Sequence, residues 1–410
     1  MPRLLNINSY HYRRGGADAV YFDHAQLMGE HGYDNAFWAM QHPRNEPSEW
    51  SQHFVDEIEF GGNYSTLAKI GKAAKIIWSF EAQRKLTRLI AEFKPDIAHL
   101  HNIYHHLSPS ILSTLQAHKV PVVLTAHDLK LACPSYSMYT EGAICERCRG
   151  GNYLNTIKYR CIKQSRSAST IIAAEAFTHK WLGSYRRHVD RIVVPSQFFG
   201  SKFVEWGWSP EHFSYIPNWV DAERFEPQYE PGNYFLYFGR LDATKGLETL
   251  IRAGAQAGVS LVIAGRGPIQ PQAEALANSL GHDVQFAGFR SGDDLHQLIR
   301  GARAVVLPAE WYENAPISVL EAFALGKPVI GSRIGGIPEM ITHASNGWLF
   351  PAFDTAALTA TLREVAALPD AAVAAAGQKA REVVSTDFSR ARYLRAMTEL
   401  YEPLLARAGR

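Results

Sequence analysis

Trp311-Tyr312-Glu313-Asn314-Ala315-Pro316-Ile317-Ser318-Val319-Leu320-Glu321-Ala322-Phe323-Ala324-Leu325-Gly326 is the stretch from which the fold can be read. Pro316 suits the first turn of a helix and Gly326 its C-terminus, so a short helix is predicted between them. Its body is apolar on nearly every face and therefore buried, yet it carries one carboxylate, Glu321, which needs partners there. Ligand hydroxyls would supply them, and so would a buried Arg or Lys. Glu313 stands just before the helix beside Asn314 and Ala315, where free backbone N–H groups and the positive end of the helix dipole favour an anion. A capping role for Glu313 is the alternative.

Working outward, a strand–loop–helix rhythm fills the second half. Tyr234 to Phe238 reads as a strand, 239–246 (Gly-Arg-Leu-Asp-Ala-Thr-Lys-Gly) as a loop, and a helix follows from Leu247. Leu261 to Ala264 leads into Gly265-Arg266-Gly267-Pro268, Val284 to Phe286 into Gly288-Phe289-Arg290, and Ala304 to Leu307 into the opening stretch. Parallel strands with right-handed crossovers gather such loops at one edge. Gly239, Arg240, Lys245, Gly265, Gly267 and the Glu313 segment should then converge on one pocket, with two cations suited to a diphosphate.

The first half opens the same way. Leu4 to Ile7 is a strand, Gly15-Gly16 lies in the loop, and a helix runs from about Ala17 to His31. Without a third glycine at the dinucleotide spacing, the pair could equally be a tight turn. Residues 41–63 lack a period and read as a long loop; 65–93 read as one helix in which Ile70, Ile76, Ile77, Trp78 and Phe80 stand alongside the cations Lys69, Lys72, Lys75, Arg84, Lys85 and Arg88. Such cations could meet anionic lipid headgroups, although a solvated helix face is the preferred reading. The strands 95–100 and 121–126 deliver His101, Asn102, His105, His127 and Asp128 to loops at their carboxyl ends, where ligands of doubly wound folds bind. Cys133, Cys145, Cys148 and Cys161 cluster in a loop-like stretch around a Cys-x-x-Cys pair. A four-thiolate structural zinc site is one reading; free thiols, a redox pair or a bound cluster are the others.

At 410 residues two domains are expected, and 46% hydrophobic with 20% charged residues is the balance of a globular protein. A net charge of +2 argues against a nucleic-acid partner. No apolar run has signal-peptide or membrane-spanning length, so a cytoplasmic location is expected.

Gly-Arg-Leu-Asp-x-x-Lys-Gly at 239–246, Gly-x-Gly-Pro at 265–268 and above all Glu-x7-Glu from Glu313 to Glu321 resemble the retaining glycosyltransferases of family 4, of the GT-B fold. Gly15-Gly16, Thr125-Ala126-His127-Asp128, Pro195-Ser196 and Ile216-Pro217-Asn218 fit the same resemblance. It implies an α/β protein of two doubly wound Rossmann-like domains facing a cleft. The expected boundaries are 1–215 for an acceptor domain with a Cys-rich insertion at about 131–165, 216–386 for a donor domain, and 387–410 for a C-terminal helix crossing back.

The resemblance also implies roles. Arg240 and Lys245 would bind the diphosphate of a UDP-, GDP- or ADP-linked sugar, and Glu321 the ribose hydroxyls. Glu313 and the N–H groups of Asn314 and Ala315 would hold the donor sugar, and Phe289-Arg290 the base. Gly15-Gly16 would approach the phosphate, and His127 would contact the transferred sugar. His101, Asn102, His105 and Asp128 are candidates for the acceptor, a glycan or polyprenyl-linked glycan reached at the inner membrane face. Catalysis would need no metal, and any zinc on the cysteines would be structural. A nucleotide-sugar epimerase of the same fold and a non-catalytic scaffold are the rival readings.

Overall fold

The computed structural model describes residues 1–57 and 66–407, with the side chains of 66–70 and 72 excluded. Twelve of its strands form two six-stranded sheets. The first takes β1 (Arg3–Ile7), β2 (Asp34–Trp38), β3 (Ile97–Leu100), β4 (Val122–Thr125), β7 (Arg191–Val194) and β8 (Phe213–Tyr215), in the order β2-β1-β3-β4-β7-β8. The remaining pair, β5 (Tyr139–Thr140) and β6 (Ala143–Ile144), is a small hairpin between β4 and β7. The second sheet takes β9 (Tyr234–Phe238), β10 (Ser260–Ala264), β11 (Val284–Gly288), β12 (Ala304–Leu307), β13 (Val329–Ser332) and β14 (Gly347–Phe350), in the order β11-β10-β9-β12-β13-β14. Every pairing within the two large sheets is parallel.

Parallel strands covered by helices on both faces need apolar side chains in both directions, which is why these segments read as continuous apolar runs. In β9, Leu236 and Phe238 enter the core on one face while Phe235 and Tyr237 enter the core on the other. In β4, Val122 and Leu124 oppose Val123 in the same manner. The helix Arg390–Arg407 belongs to the first sheet although it ends the chain: Tyr393, Met397, Tyr401 and Leu404 pack with Leu4, Ile97, Val123 and Val193. The C-terminal helix therefore crosses back as expected.

Several local expectations change. The single helix at 65–93 is two, Thr66–Ile77 and Phe80–Phe93, because Ser79 caps the second by accepting from Ala82 N–H at 3.1 Å. Ser65, Lys69, Ile70 and Lys72 carried part of that expectation and lie outside the described backbone or side chains. Up to residue 57 the expected long loop is packed: it holds a 3-10 turn, Glu49–His53, and a fully buried Phe54, and Trp38 donates its indole N–H to the His53 carbonyl at 2.8 Å. Residues 58–63 of that loop lie outside the described residues. β2 has no counterpart in the sequence reading; its burial comes from pairing beside β1 rather than from an apolar run of its own.

Candidate active site

In the second sheet β9 and β12 are neighbours although β10 and β11 intervene in sequence, so the loops after β9 and β12 meet at the switch point. Lys245 and Glu313 come together there. Lys245 Nζ lies 2.5 Å from Glu313 Oε1, which also accepts the indole N–H of Trp311 at 2.7 Å. The ammonium sits 4.9 Å over that indole. Gly246 makes the approach possible: it turns at φ 68°, and a Cβ there would stand 1.8 Å from the Pro308 carbonyl oxygen.

The loop after β10 locks onto the loop after β9, with Leu241 N–H donating to Arg266 O at 3.0 Å. Gly265, at φ 149°, leaves no room for a Cβ, which would lie 1.8 Å from the Gly239 carbonyl oxygen. Gly239 and Gly267 flank this contact, and Arg240 extends from it exposed, with Nη2 3.3 Å from Asp242 Oδ2. Phe289 and Arg290 are exposed just beyond β11.

The helix Ile317–Ala324 falls where the sequence places it. The Glu321 carboxyl has neither a hydrogen bond nor an ion pair among the described residues, so the expected alternative of a buried Arg or Lys partner is not realised. Burial pushes its carboxyl up to about 7, and the Asp23 carboxylate, on the helix Gly16–Glu30 of the other half, acts in the same direction. Ahead of the helix, the N–H groups of Asn314 and Ala315 donate to no protein acceptor among the described residues. A largely buried, unpartnered carboxyl thus stands on the helix that follows the Lys245–Glu313 pair, and two free amides precede that helix. This is a cluster of polar groups waiting for hydroxyl donors and anionic oxygens.

The same segment ties the halves together. The Asn314 side chain accepts from Ser196 Oγ at 2.8 Å and donates to the Ala126 carbonyl at 2.9 Å, while Asn218 Nδ2 donates to the Ala315 carbonyl at 2.8 Å. Glu339 takes the N–H groups of Gln197 and Phe198 at 2.8 and 2.7 Å. Across the cleft Gly16 approaches the start of the same helix, where a Cβ would lie 3.6 Å from Ile317 Cγ1. The loop of Gly15 and Gly16 and the N-terminus of the helix Ile317–Ala324 are therefore opposed, and Gly15 is exposed.

His127 stands beyond β4 with its Nε2 2.8 Å from Nδ1 of His101, and the two rings stack at 5.1 Å. Burial lowers the His127 pKa to about 4, so its ring is neutral. The stack continues inward through His99 and His24, where Tyr401 of the C-terminal helix bonds both rings.

The four residues expected at the acceptor have different surroundings. His101 is fully buried and serves His127 rather than the cleft. The Asn102 backbone is engaged by Ser9 and Asn8, and His105 is largely enclosed, its basicity lowered by burial. Asp128 remains half-exposed; burial raises its carboxyl to about 6, and Oδ1 accepts Lys130 N–H at 2.9 Å.

Cys133, Cys145, Cys148 and Cys161 are free thiols. Each of Cys133, Cys148 and Cys161 has other members of the set close enough to disfavour its thiolate, but burial is the larger cause, taking Cys148 to about 12 and Cys161 to about 11. Cys133 instead pairs with Ser135 Oγ at 3.2 Å, and Cys148 with Thr156 Oγ1 at 3.7 Å. Among the described residues no three Cys, His, Asp or Glu side chains converge as metal ligands, so the expected four-thiolate set is not assembled.

Residues 14–224 match the model of Glycosyltransferase Family 4, and 221–383 that of Glycosyl transferases group 1. The chain belongs to glycosyltransferase family 4. An uncharacterized glycosyltransferase of Methanocaldococcus jannaschii is 28% identical over 282 residues, 66% of this chain and 66% of that protein. The amylovoran biosynthesis glycosyltransferase AmsK of Erwinia amylovora is 28% identical over 277 residues, 62% of this chain and 68% of its own length. Among solved structures, sucrose-phosphate synthase of Thermosynechococcus elongatus superposes with a TM-score of 0.73 at 20% identity, covering 99% of this chain and 100% of that one. Anabaena HepE, in complex with UDP and glucose, gives 0.69 at 16% identity, covering 98% and 100%. The fold is GT-B, two Rossmann-like halves facing a cleft.

The sequence reading did not single out Trp311, which shares Glu313 with Lys245, or Asp23, whose carboxylate acts on Glu321. Trp311 had a signal, lying two residues before Glu313; Asp23 had none, since nothing in sequence links the helix Gly16–Glu30 to residue 321.

Proposed function

We propose that this chain is a retaining glycosyltransferase that moves a sugar from a nucleoside diphosphate sugar to a hydroxyl of a glycan or lipid-linked glycan, in polysaccharide biosynthesis. The observation that carries the reading is the unpartnered Glu321 carboxyl on the helix that follows the Lys245–Glu313 pair and the free amides of Asn314 and Ala315. Ribose hydroxyls donating to Glu321 would satisfy it. The diphosphate would draw Lys245 and Arg240 to its oxygens, and Glu313 would turn to the hydroxyls of the transferred sugar. Phe289 and Arg290 would border the base, Gly15 and Gly16 would face the phosphates, and His127 would offer a ring N–H to the sugar. The relatives' roles in amylovoran biosynthesis and the UDP and glucose held by HepE support a nucleotide-linked donor and a polysaccharide product.

Charge grows on the leaving diphosphate in the transition state, and Lys245, Arg240 and the N-terminus of the helix Ile317–Ala324 would stabilise it. Retention by double displacement requires a carboxylate on the opposite sugar face. None of the residues gathered here holds that position by evident design, so we favour front-face attack in which the leaving phosphate takes the acceptor's proton. Closure of the two halves would exclude water. The test is a panel of UDP-, GDP- and ADP-sugars in thermal shift, followed by slow donor hydrolysis without acceptor. One stabilising, slowly cleaved donor is expected; a panel with no stabilising member, together with wild-type behaviour of Glu321→Ala and Lys245→Ala, would remove the reading.

A further inference from the structure

The near-neutral total charge conceals a strongly basic region. Residues 147–189 contain nine Lys and Arg and one carboxylate, whereas the rest of the chain contains 33 and 39. All nine cations are exposed, and the one carboxylate, Glu175, is buried with its Oε2 2.6 Å from Lys130 Nζ. The same region exposes large apolar side chains: Trp181 is 82%, Leu154 62% and Phe177 41% exposed.

The apolar side chains and several of these cations share a surface. The helices Leu154–Lys158 and Arg166–Leu182 pack together, and Tyr153 joins them with its ring 5.1 Å from that of Phe177. Lys180 Nζ lies 5.4 Å over Tyr153 and donates to the Gly150 carbonyl at 3.0 Å. Arg166, Phe177 and Trp181 fall on one helical stripe, and Lys158 is one turn from Leu154.

We propose that this face docks the protein on an anionic lipid bilayer. Trp181, Phe177 and Leu154 enter the boundary of the acyl region, and Arg149, Lys158, Arg166 and Lys180 engage headgroup phosphates. Cations alone would suit any polyanion, but a nucleic acid or charged polysaccharide would leave the apolar tips in water. A second copy would bring two faces of the same charge together. The bilayer interface satisfies both classes of side chain. The docking face lies beside the helix Thr66–Ile77, not on it: that helix packs against Arg166–Leu182, and its Lys75 is paired with Glu81 at 2.7 Å.

The test is sedimentation of the full chain with vesicles of phosphatidylcholine alone or mixed with phosphatidylglycerol. Binding should be roughly 10-fold or more stronger on the mixed vesicles and be released by about 0.5 M salt. Leu154→Ser/Phe177→Ser/Trp181→Ser should weaken it about 10-fold, with Tm and slow donor hydrolysis unchanged, while Lys75→Glu has no effect. Brominated lipid should quench wild-type fluorescence, and Trp181→Phe should remove most of that quenching, a readout that survives misfolding of the triple variant. Equal binding to neutral vesicles, quenching unaffected by Trp181→Phe, or a triple variant altered only in self-association overturns the proposal. Loss of donor hydrolysis in every form of the protein would count against the proposed activity and leave the docking result standing.

Discussion

Nδ1 of His101 lies 2.8 Å from Nε2 of His127, and the other ring nitrogen of His101, fully buried, has no partner among the described residues. A buried N–H without an acceptor is rarer than a buried lone pair without a donor, so the bare atom is the unprotonated one. His101 then donates from Nδ1, His127 accepts at Nε2, and the remaining proton of His127 sits on Nδ1. The inner ring thereby sets which nitrogen the outer ring offers as a donor.

His101→Asp, an acceptor only, should reverse that tautomer and lower kcat roughly 10-fold, the worth of one hydrogen bond. His101→Asn, with an amide N–H near the position of Nδ1, should restore most of it. Nitrogen chemical shifts of His127, assigned with a His127→Gln control, read the tautomer directly. An unchanged tautomer in His101→Asp would refute the assignment.

Lys245→Ala should reduce turnover by at least about 10²-fold, since it removes a cation opposite the leaving diphosphate. It should also lower the stability of the unliganded protein by about 1–2 kcal/mol, because Glu313, its side chain 9% exposed, keeps only the Trp311 bond. Lys245→Met/Glu313→Gln should recover the melting temperature without recovering activity. Recovery of both in the double variant would show that the pair is structural.

Glu321 should make stability depend on pH. Its folded pKa of about 7 lies above the ordinary 4.5, so its stabilising contribution is complete below about 4.5 and is lost as pH rises through 7. Glu321→Gln should therefore match wild type at pH 5 and exceed it at pH 8, by on the order of 2 kcal/mol. Parallel melting-temperature profiles for the two proteins between pH 5 and 8 would contradict the raised pKa.

The same carboxyl predicts proton release on donor binding. Hydroxyls donating to Glu321 favour its ionised form and lower its pKa. Calorimetric titration of the donor near pH 7, in buffers of different ionisation enthalpy, should show a fraction of a proton released by wild type and none by Glu321→Gln. Equal release from both would assign the proton to another group.

Tyr401→Phe should destabilise the protein by about 1–3 kcal/mol while leaving the donor affinity near wild type, because its hydroxyl bonds both His24 and His99 in the core. Chemical denaturation and donor binding measured on one preparation separate the two effects. A weakened donor affinity would mean that the C-terminal helix reaches the site through the histidine stack.

The loops after β9 and β10 were legible as glycine-bearing turns, although the contacts that exclude a Cβ at Gly246 and Gly265 are made with other loops, at Pro308 and Gly239, and the helix after Glu313 announces itself by Pro316, Gly326 and an apolar body. The division into two α/β halves followed from the rhythm of apolar runs, which reports burial on both faces of a sheet, and the return of the C-terminal helix from the family resemblance. Strand order was not written in that rhythm. It set Lys245 directly against Glu313 and stacked His101 behind His127, while the packing of the two halves brought Asp23 opposite Glu321. The break at Ser79 likewise depended on a neighbour, since its N–H donates to Ser110 Oγ at 3.1 Å. Sequence by itself determined which groups carry charge, which segments are apolar, and where the chain can turn, because those are properties of residues and their near neighbours. Only the tertiary structure decided which charges meet, which are left without partners, and which histidine is buried behind another, because partnership and desolvation depend on contacts between residues far apart along the chain.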